Sequence, residues 1–525
     1  MHNLFSIFFT MTTALTSLGY SMLINAKLVE LTGQGLRAQS IALSAFLIGL
    51  AFGGFYYSRQ NFQKEKKLIN TLFVTEALVT LIGTSSLFII ALLTTLYILF
   101  INPLSIAPSF ISPIVTYSIT IPILFMLGAV SGIQLPAILK IFSKEENKVL
   151  FLNYTGALIA GPLINYFLDL SIKDSIQVSL FFIFNIINLL ILLFYSRVRF
   201  KFVYLSTALL LSVVSIKQLD FVQSLQRSVY YMGHSLSETK NIDDFFNLVK
   251  KYGKIEHYQT QYQKIDLVTE SAIQQTHFDG DFTLYLNRRP QLSTHTIDVY
   301  HQSMAEGSFN LNKKIPSTVL ILGGGDGLLI NNLKNYKQIK RITQVELDSK
   351  VLELAKYHPT LSYLNKDTYA SQDPRVTVLI DDAINYLRNT KDKFEAIFID
   401  FPFPYNPELL KLFSYEFYSL VEHAVADKGY IVLDFPVFPK ESSKQHLSPK
   451  ILNSVLKAGF NSYFIYGLTQ PFLFAKKGIH QIKFEYQSLP ISISLGALQN
   501  FMDISYLFKE KQTDDYISIF QPERI

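Results

Sequence analysis

Two patterns of hydrophobic and polar positions divide this chain. Up to about residue 216, apolar side chains run in long blocks and the charges are confined to short clusters between them. From about residue 217 onward, Lys, Asp and Glu are interspersed throughout. The apolar blocks fall near residues 4–25, 38–58, 68–102, 110–140, 149–169, 177–196 and 200–217. A helix needs roughly 20 apolar residues to cross a bilayer core of about 30 Å. The third block is longer: about 35 residues of helix would reach about 52 Å. It predicts a tilted helix, a helix running past the bilayer, or a tight hairpin broken around Gly83-Thr84-Ser85-Ser86. Residues 1–216 therefore read as a multi-pass α-helical membrane bundle of seven spans, or eight if the hairpin forms. Leu4 to Leu23 is too long for a signal core and lacks a basic leader, so a cleavable signal is not expected.

Small-residue spacings at Gly49/Gly53, Gly128/Gly132 and Gly156/Ala160 suit close helix packing. Packing inside one bundle is the favoured reading over association of copies, though a homo-oligomer stays open. Glu76 is a carboxylate inside an apolar stretch, and its reading is evenly divided between a functional and a structural group.

After the spans the periodicity changes. Residues 217–254 read as a helical connector, with Phe221, Leu225 and Val229 at helical spacing. Residues 255–315 read as a small β unit, from the alternating runs Lys264–Val268 and Phe282–Leu286. Residues 316–480 read as an α/β Rossmann-like domain of the methyltransferase type, and 481–525 as a C-terminal extension. In that domain Thr318–Leu322 is a buried strand, Gly323-Gly324-Gly325-Asp326-Gly327 a turn, and a helix starts at Leu328. The next strand, Ile342–Glu346, ends in an acid about 20 residues past the glycines. Glycines let backbone approach a ligand closely, and a strand-end acid accepts hydrogen bonds from both ribose hydroxyls. Two more strands, Arg375–Ile380 and Phe394–Asp400, are followed by Asp381-Asp382 and by a proline-rich loop. Ligands of open α/β sheets sit at the carboxyl ends of the strands, where Asp326, Glu346, Asp382 and Asp400 all fall.

Composition narrows the chemistry. The chain has no Cys, which excludes disulfides, a thiolate nucleophile and Cys-based metal centres. The net charge of +6 is modest. The basic clusters Arg59/Lys64/Lys66/Lys67, Lys140/Lys144/Lys148 and Arg197/Arg199/Lys201 flank apolar blocks and read as topology signals, so no nucleic-acid partner is expected. Seven spans would place those loops and the C-terminal half on opposite faces.

These residues resemble the membrane-embedded branch of the spermidine synthase (polyamine aminopropyltransferase) family. The likeness rests on the Gly323–Gly327 loop after a strand, Tyr262-Gln263, Tyr300-His301, Val345-Glu346-Leu347-Asp348, and Asp400 with Leu412–Tyr418. It implies that decarboxylated S-adenosylmethionine is the co-substrate, that a small amine is the acceptor and that no metal takes part. It places Glu346 on the ribose, Asp382 with Asp381 at the adenine amine, and Gln263 near the sulfur-side ribose. Gly323 and Gly325 would line the nucleoside. Asp326 would pair with the propylammonium and repel the carboxylate of intact S-adenosylmethionine. Asp400 would take the amine proton, with Tyr300 and His301 positioning the amine. The chain departs from the family at Phe403 and Gln302, where acids are usual, and at Thr296-Ile297, where an Asp-Glu pair is usual. These losses imply a less polycationic or partly apolar acceptor. A methyltransferase on the same fold, or a membrane protein with a degenerate nucleoside-binding domain, are the competing expectations. The resemblance implies an enzyme of the cell (inner) membrane with its catalytic domain in the cytoplasm, where its co-substrate is made.

Overall fold

A computed structural model describes residues 2–520 apart from 33–34, 61–64, 102–112, 171, 197, 199–200, 232–242, 245–246, 248–253, 270–281, 295, 405–406, 438–446, 485–493 and 509–514. Lys64, Arg197, Arg199 and half of the expected connector lie outside the described residues. The chain divides into two compact units, Met1–Gly280 with Leu284–Arg289, and Asp281–Thr283 with Pro290–Ile525.

The first unit contains the helices α1 (His2–Thr32), α2 (Gly35–Ser58), α3 (Glu65–Ile101), α4 (Pro113–Ile141), α5 (Glu146–Asp169), α6 (Asp174–Tyr195) and α7 (Lys201–Tyr231). Among the described residues, these seven are long and apolar enough to cross a membrane. The third block is one unbroken helix of 37 residues, with no turn at Gly83–Ser86. Helix α7 runs continuously through residue 217.

The glycine spacings mark backbone contact within the bundle. A Cβ on Gly49 would stand 2.3 Å from the Phe125 carbonyl oxygen, and one on Gly132 2.2 Å from that of Leu50. Glycines on α2 and α4 thus let the two backbones touch. Gly156 on α5 meets the Met11 carbonyl in the same way, at 2.0 Å.

Glu76 is fully buried and hydrogen-bonded by three amides. Asn185 and Asn188 each donate to Oε1 at 2.9 Å, and Gln134 donates to Oε2 at 2.8 Å. Tyr20 and Thr12 donate to the carbonyl ends of Asn185 and Asn188, both at 2.9 Å, which turns their NH2 groups toward the carboxylate. The network joins α1, α3, α4 and α6. It satisfies a group that would otherwise be costly to bury.

The same unit includes the strands β1 (Lys254–Gln259) and β2 (Lys264–Thr269), paired antiparallel. With β3 (Phe282–Leu286) and β4 (Arg289–Ser293) they form a four-stranded sheet of order β1-β2-β3-β4. Near the end of α1, Glu30 accepts from Lys27 at 2.9 Å, from Arg288 at 3.1 Å and from Lys264. At the end of α7 the Tyr231 hydroxyl donates to Asp266 at 2.6 Å, and Arg288 lies 4.9 Å from the Tyr230 ring centre.

The second unit contains helix α8 (Ile297–Asn312), followed by a seven-stranded sheet. Its strands are β5 (Thr318–Gly323), β6 (Arg341–Glu346), β7 (Val376–Ile380), β8 (Phe394–Asp400), β9 (Val425–Asp434), β10 (Ser462–Tyr466) and β11 (Phe472–Lys476). The order is β10-β11-β9-β8-β5-β6-β7. The run from β9 to β7 is parallel, and β11 and β10 complete it antiparallel. The inner strands are apolar on both faces because both faces are covered. Leu320, Leu322, Ile397, Ile399, Ile431 and Leu433 fill one core. Val319, Ile321, Phe398 and Val432 fill the other, together with Met304 and Ala305 of α8. Ile504, Phe508 and Ile517 from the C-terminal segment complete the first core. Chain order reverses between β6 and β8 on either side of β5, and that switch point opens the crevice at the carboxyl ends of the strands.

Candidate active site

The glycine loop leaves β5 in a conformation that side chains resist. Gly323, Gly324 and Gly327 have φ of +86°, +62° and +80°. Space is as limiting as conformation: a Cβ on Gly323 would lie 2.2 Å from the Asp400 carbonyl oxygen. Three side chains hold the loop from behind. Gln344 donates to the carbonyls of Gly323 and Gly324 at 3.0 and 2.6 Å. The Tyr369 hydroxyl lies 3.0 Å from the Gly325 carbonyl, and Asn365 donates to the Asp326 carbonyl at 2.8 Å.

Glu346 ends β6 beside this loop. Its Oε1 accepts the Asp348 backbone N–H at 2.9 Å, while Oε2 faces Gly325. Burial pushes its carboxyl up to about 7, against the Asp348 N–H and with the charges of Asp348 and Asp326 adding to the rise. A donor reaching Oε2 would restore the ionised form.

Asp400 ends β8 next to the loop, and the Tyr300 hydroxyl donates to its Oδ1 at 2.7 Å. Its Oδ2 lies on the glycine side, 3.0 Å from where a Cβ of Gly324 would stand. Burial and then the charge of Asp326 push Asp400 up to about 6, opposed by His301 and by the Tyr300 hydrogen bond. Burial followed by the Asp400 charge holds Tyr300 well above the usual phenol value, so its hydroxyl keeps its proton. His301 Nδ1 lies 2.9 Å from the Ile297 carbonyl, which requires Nδ1–H and leaves Nε2 toward Asp326 Oδ1 at 4.0 Å. Asp326 Oδ1 also accepts the Leu328 N–H at 2.9 Å. The result is a cluster of donors and acids around one strand end, able to hold a cation and to take up a proton.

Other expected residues sit differently. Asp382 caps the helix Ala383–Asn389, its Oδ1 accepting from Ile384 and Asn385 at 2.8 and 3.1 Å. Asp381 Oδ1 accepts from Asp382 N and from the Asn385 amide at 2.8 and 2.9 Å. Gln263 belongs to the other compact unit, in the turn before β2, where its carbonyl accepts from Thr260 N at 2.9 Å. Gln302, at a position where the family usually has an acid, accepts the Ser494 N–H at 2.9 Å.

Sequence reading missed Asp434, which ends β9 beside Asp400. Burial and then the Asp400 charge push it up to about 8. The signal was present: Tyr430-Ile431-Val432-Leu433-Asp434 is an apolar strand ending in an acid, the same pattern that marked Asp400.

Residues 297–468 match the spermine/spermidine synthase domain. A polyamine aminopropyltransferase of Oceanobacillus iheyensis is 28% identical over 443 residues, covering 80% of this chain and 76% of that protein. Polyamine aminopropyltransferase 2 of Aquifex aeolicus is 28% identical over 65% of this chain, and the match spans 63% of its own length. A spermidine synthase structure from Thermotoga maritima aligns with a TM-score of 0.40 and 22% identity, over 50% of this chain and 88% of that one. The C-terminal domain is of the spermine/spermidine synthase family. The chain is an enzyme of the aminopropyltransferase class.

Proposed function

We propose that this protein is a membrane-embedded aminopropyltransferase that moves the aminopropyl group of decarboxylated S-adenosylmethionine to a small amine, giving a polyamine and methylthioadenosine. The observation that carries the reading is the Tyr300–Asp400 hydrogen bond standing against the glycine loop, with Asp326 beside it. In this reading Glu346 accepts from the ribose hydroxyls, Asp326 pairs with the propylammonium, and Asp381 and Asp382 complete the nucleoside site. The acceptor nitrogen gives its proton to Asp400 and attacks the carbon next to the sulfonium. The new C–N bond forms as the C–S bond breaks, and the bonding pair leaves on a neutral thioether that needs no acid. Tyr300 fixes the carboxylate, and His301 borders the amine and Asp326. The seven apolar helices support a place in the cell membrane.

The test is to incubate the purified protein with decarboxylated and with intact S-adenosylmethionine and a panel of amines, and to identify the nucleoside released. Methylthioadenosine from the decarboxylated form is expected. S-Adenosylhomocysteine from the intact form would move the protein to the methyltransferases, and no product from either would leave a nucleoside-binding domain.

A further inference from the structure

The family's usual acceptor-side acid is Phe403 here, which suggested an acceptor with less charge. The sheet register points elsewhere. Strands β8 and β9 are parallel neighbours, with Ile399 paired to Leu433. Each strand has one more residue, Asp400 and Asp434, so these two stand side by side, their Cα atoms about 4.8 Å apart. Alternation along a strand fixes the face. Asp400 shares its face with Ala396 and Phe398, and Asp434 with Tyr430 and Val432. All four of those residues lie in the core that Met304 and Ala305 of α8 help to fill. Both carboxylates therefore leave the sheet on the side of Tyr300. The Tyr300 ring packs 5.2 Å from Phe472, the cross-strand partner of Asp434, while its hydroxyl is on Asp400. Among the described residues, no group donates a hydrogen bond to the Asp434 carboxylate.

We infer that Asp434 is the second carboxylate of the acceptor site, supplied by the neighbouring strand where the loop has lost its acid, and that it binds the far ammonium of a short diamine. The inference rests on the aminopropyltransferase reading above. Two adjacent buried acids cannot both ionise without a cation between them. The attacking nitrogen cannot be that cation, because it must be neutral when it attacks. A second amino group on the acceptor meets the requirement. A monoamine of equal length would leave Asp434 without a partner. Burial first, and then the neighbouring Asp400 charge, push Asp434 up, and a cation between the two acids would relieve the second of these.

The test compares putrescine with butylamine, in wild type and in Asp434→Asn, using the full-length protein in detergent with decarboxylated S-adenosylmethionine. Turnover is read as methylthioadenosine, and diamine binding by calorimetry. Wild type should favour putrescine by at least about tenfold in kcat/KM. Asp434→Asn should raise the putrescine KM about tenfold and bring the two amines close together, with co-substrate affinity unchanged as the folding control. A diamine preference that survives Asp434→Asn, or an equal loss for both amines, overturns the inference. If no amine is turned over but putrescine binds wild type and not Asp434→Asn, the acceptor site stands and the transferase reading fails. Equal putrescine binding by both proteins removes Asp434 from the site.

Discussion

A methyl group on Gly325 would stand 2.7 Å from Oε2 of Glu346. The two residues are parts of one surface, and the missing side chain of the first leaves the carboxylate of the second open to a ligand. Glu346→Gln should weaken methylthioadenosine binding about tenfold or more, since it removes the ionised acceptor of two hydroxyl hydrogen bonds. Gly325→Ala should do likewise by displacing Glu346. Because burial raises Glu346 to about 7, wild-type affinity should rise with pH from 6 to 8 as the accepting form becomes populated. Calorimetric titration at the two pH values checks this, and a flat profile in wild type would remove Glu346 from the ribose.

Asp400→Asn should reduce turnover by about two to four orders of magnitude, the range for loss of a general base, while co-substrate affinity survives. Asp400 must be ionised to accept a proton, so the acid limb of kcat/KM should rise through a pH of about 6. Full activity in the Asn variant would end its assignment as the base.

Glu306 on α8 is a buried acid: the Tyr336 hydroxyl donates to Oε1 at 2.8 Å, and among the described residues Oε2 has no hydrogen-bond partner. Burial pushes it up to about 7 from 4.5. Its folded value is raised, so its contribution to stability is complete below pH 4.5 and is lost as pH rises through about 7. Glu306→Gln should therefore melt above wild type at pH 8.5, by up to about 3 kcal/mol in stability, and together with it near pH 4.5. Circular dichroism melts in detergent read the difference. A Gln variant that is less stable than wild type at pH 8.5 contradicts the argument.

With seven crossings, the loop between α4 and α5 and the C-terminal domain lie on opposite faces of the membrane. The chain has no native cysteine, so single cysteines are clean probes. In intact cells, a membrane-impermeant maleimide should label only one of Lys144→Cys and Lys391→Cys, both exposed positions. Labelling of both, or of neither, would refute the seven-crossing arrangement. Which one reacts decides a further point. Clustered lysines and arginines favour the cytoplasmic side, which predicts Lys391→Cys, whereas a cytoplasmic co-substrate predicts Lys144→Cys.

The nucleotide-type half was readable because buried parallel strands appear as unbroken apolar runs, and each run ends where the site lies. Thr318–Leu322, Ile342–Glu346 and Phe394–Asp400 are legible in that way, each within one residue of the strand that forms. The groups that support the loop were not readable. Asn365 reaches Asp326 across 39 residues, and nothing local to either residue marks the pairing. Glu76 was conspicuous in its helix, but its amide partners lie 58, 109 and 112 residues away, so sequence could not show that it was satisfied. Asp382 precedes a short helix, and its capping bonds are a local feature that competes with a ligand role.

Glu30 near the end of the first helix holds Lys264 and Arg288 of the small sheet, both largely shielded from solvent. A chain trimmed to begin after Tyr231, as one would make to obtain a membrane-free enzyme, would keep both cations and discard their anion. It would also remove the Tyr231 hydroxyl from Asp266 and the Tyr230 ring from Arg288. Lys264, next to the turn bearing Gln263, and Arg288 would then lose both their anion and the shielding that the helices supply. Solubilising this protein is thus a matter of replacing an electrostatic footing as well as deleting greasy helices, and Glu30 is the first group such a redesign has to supply.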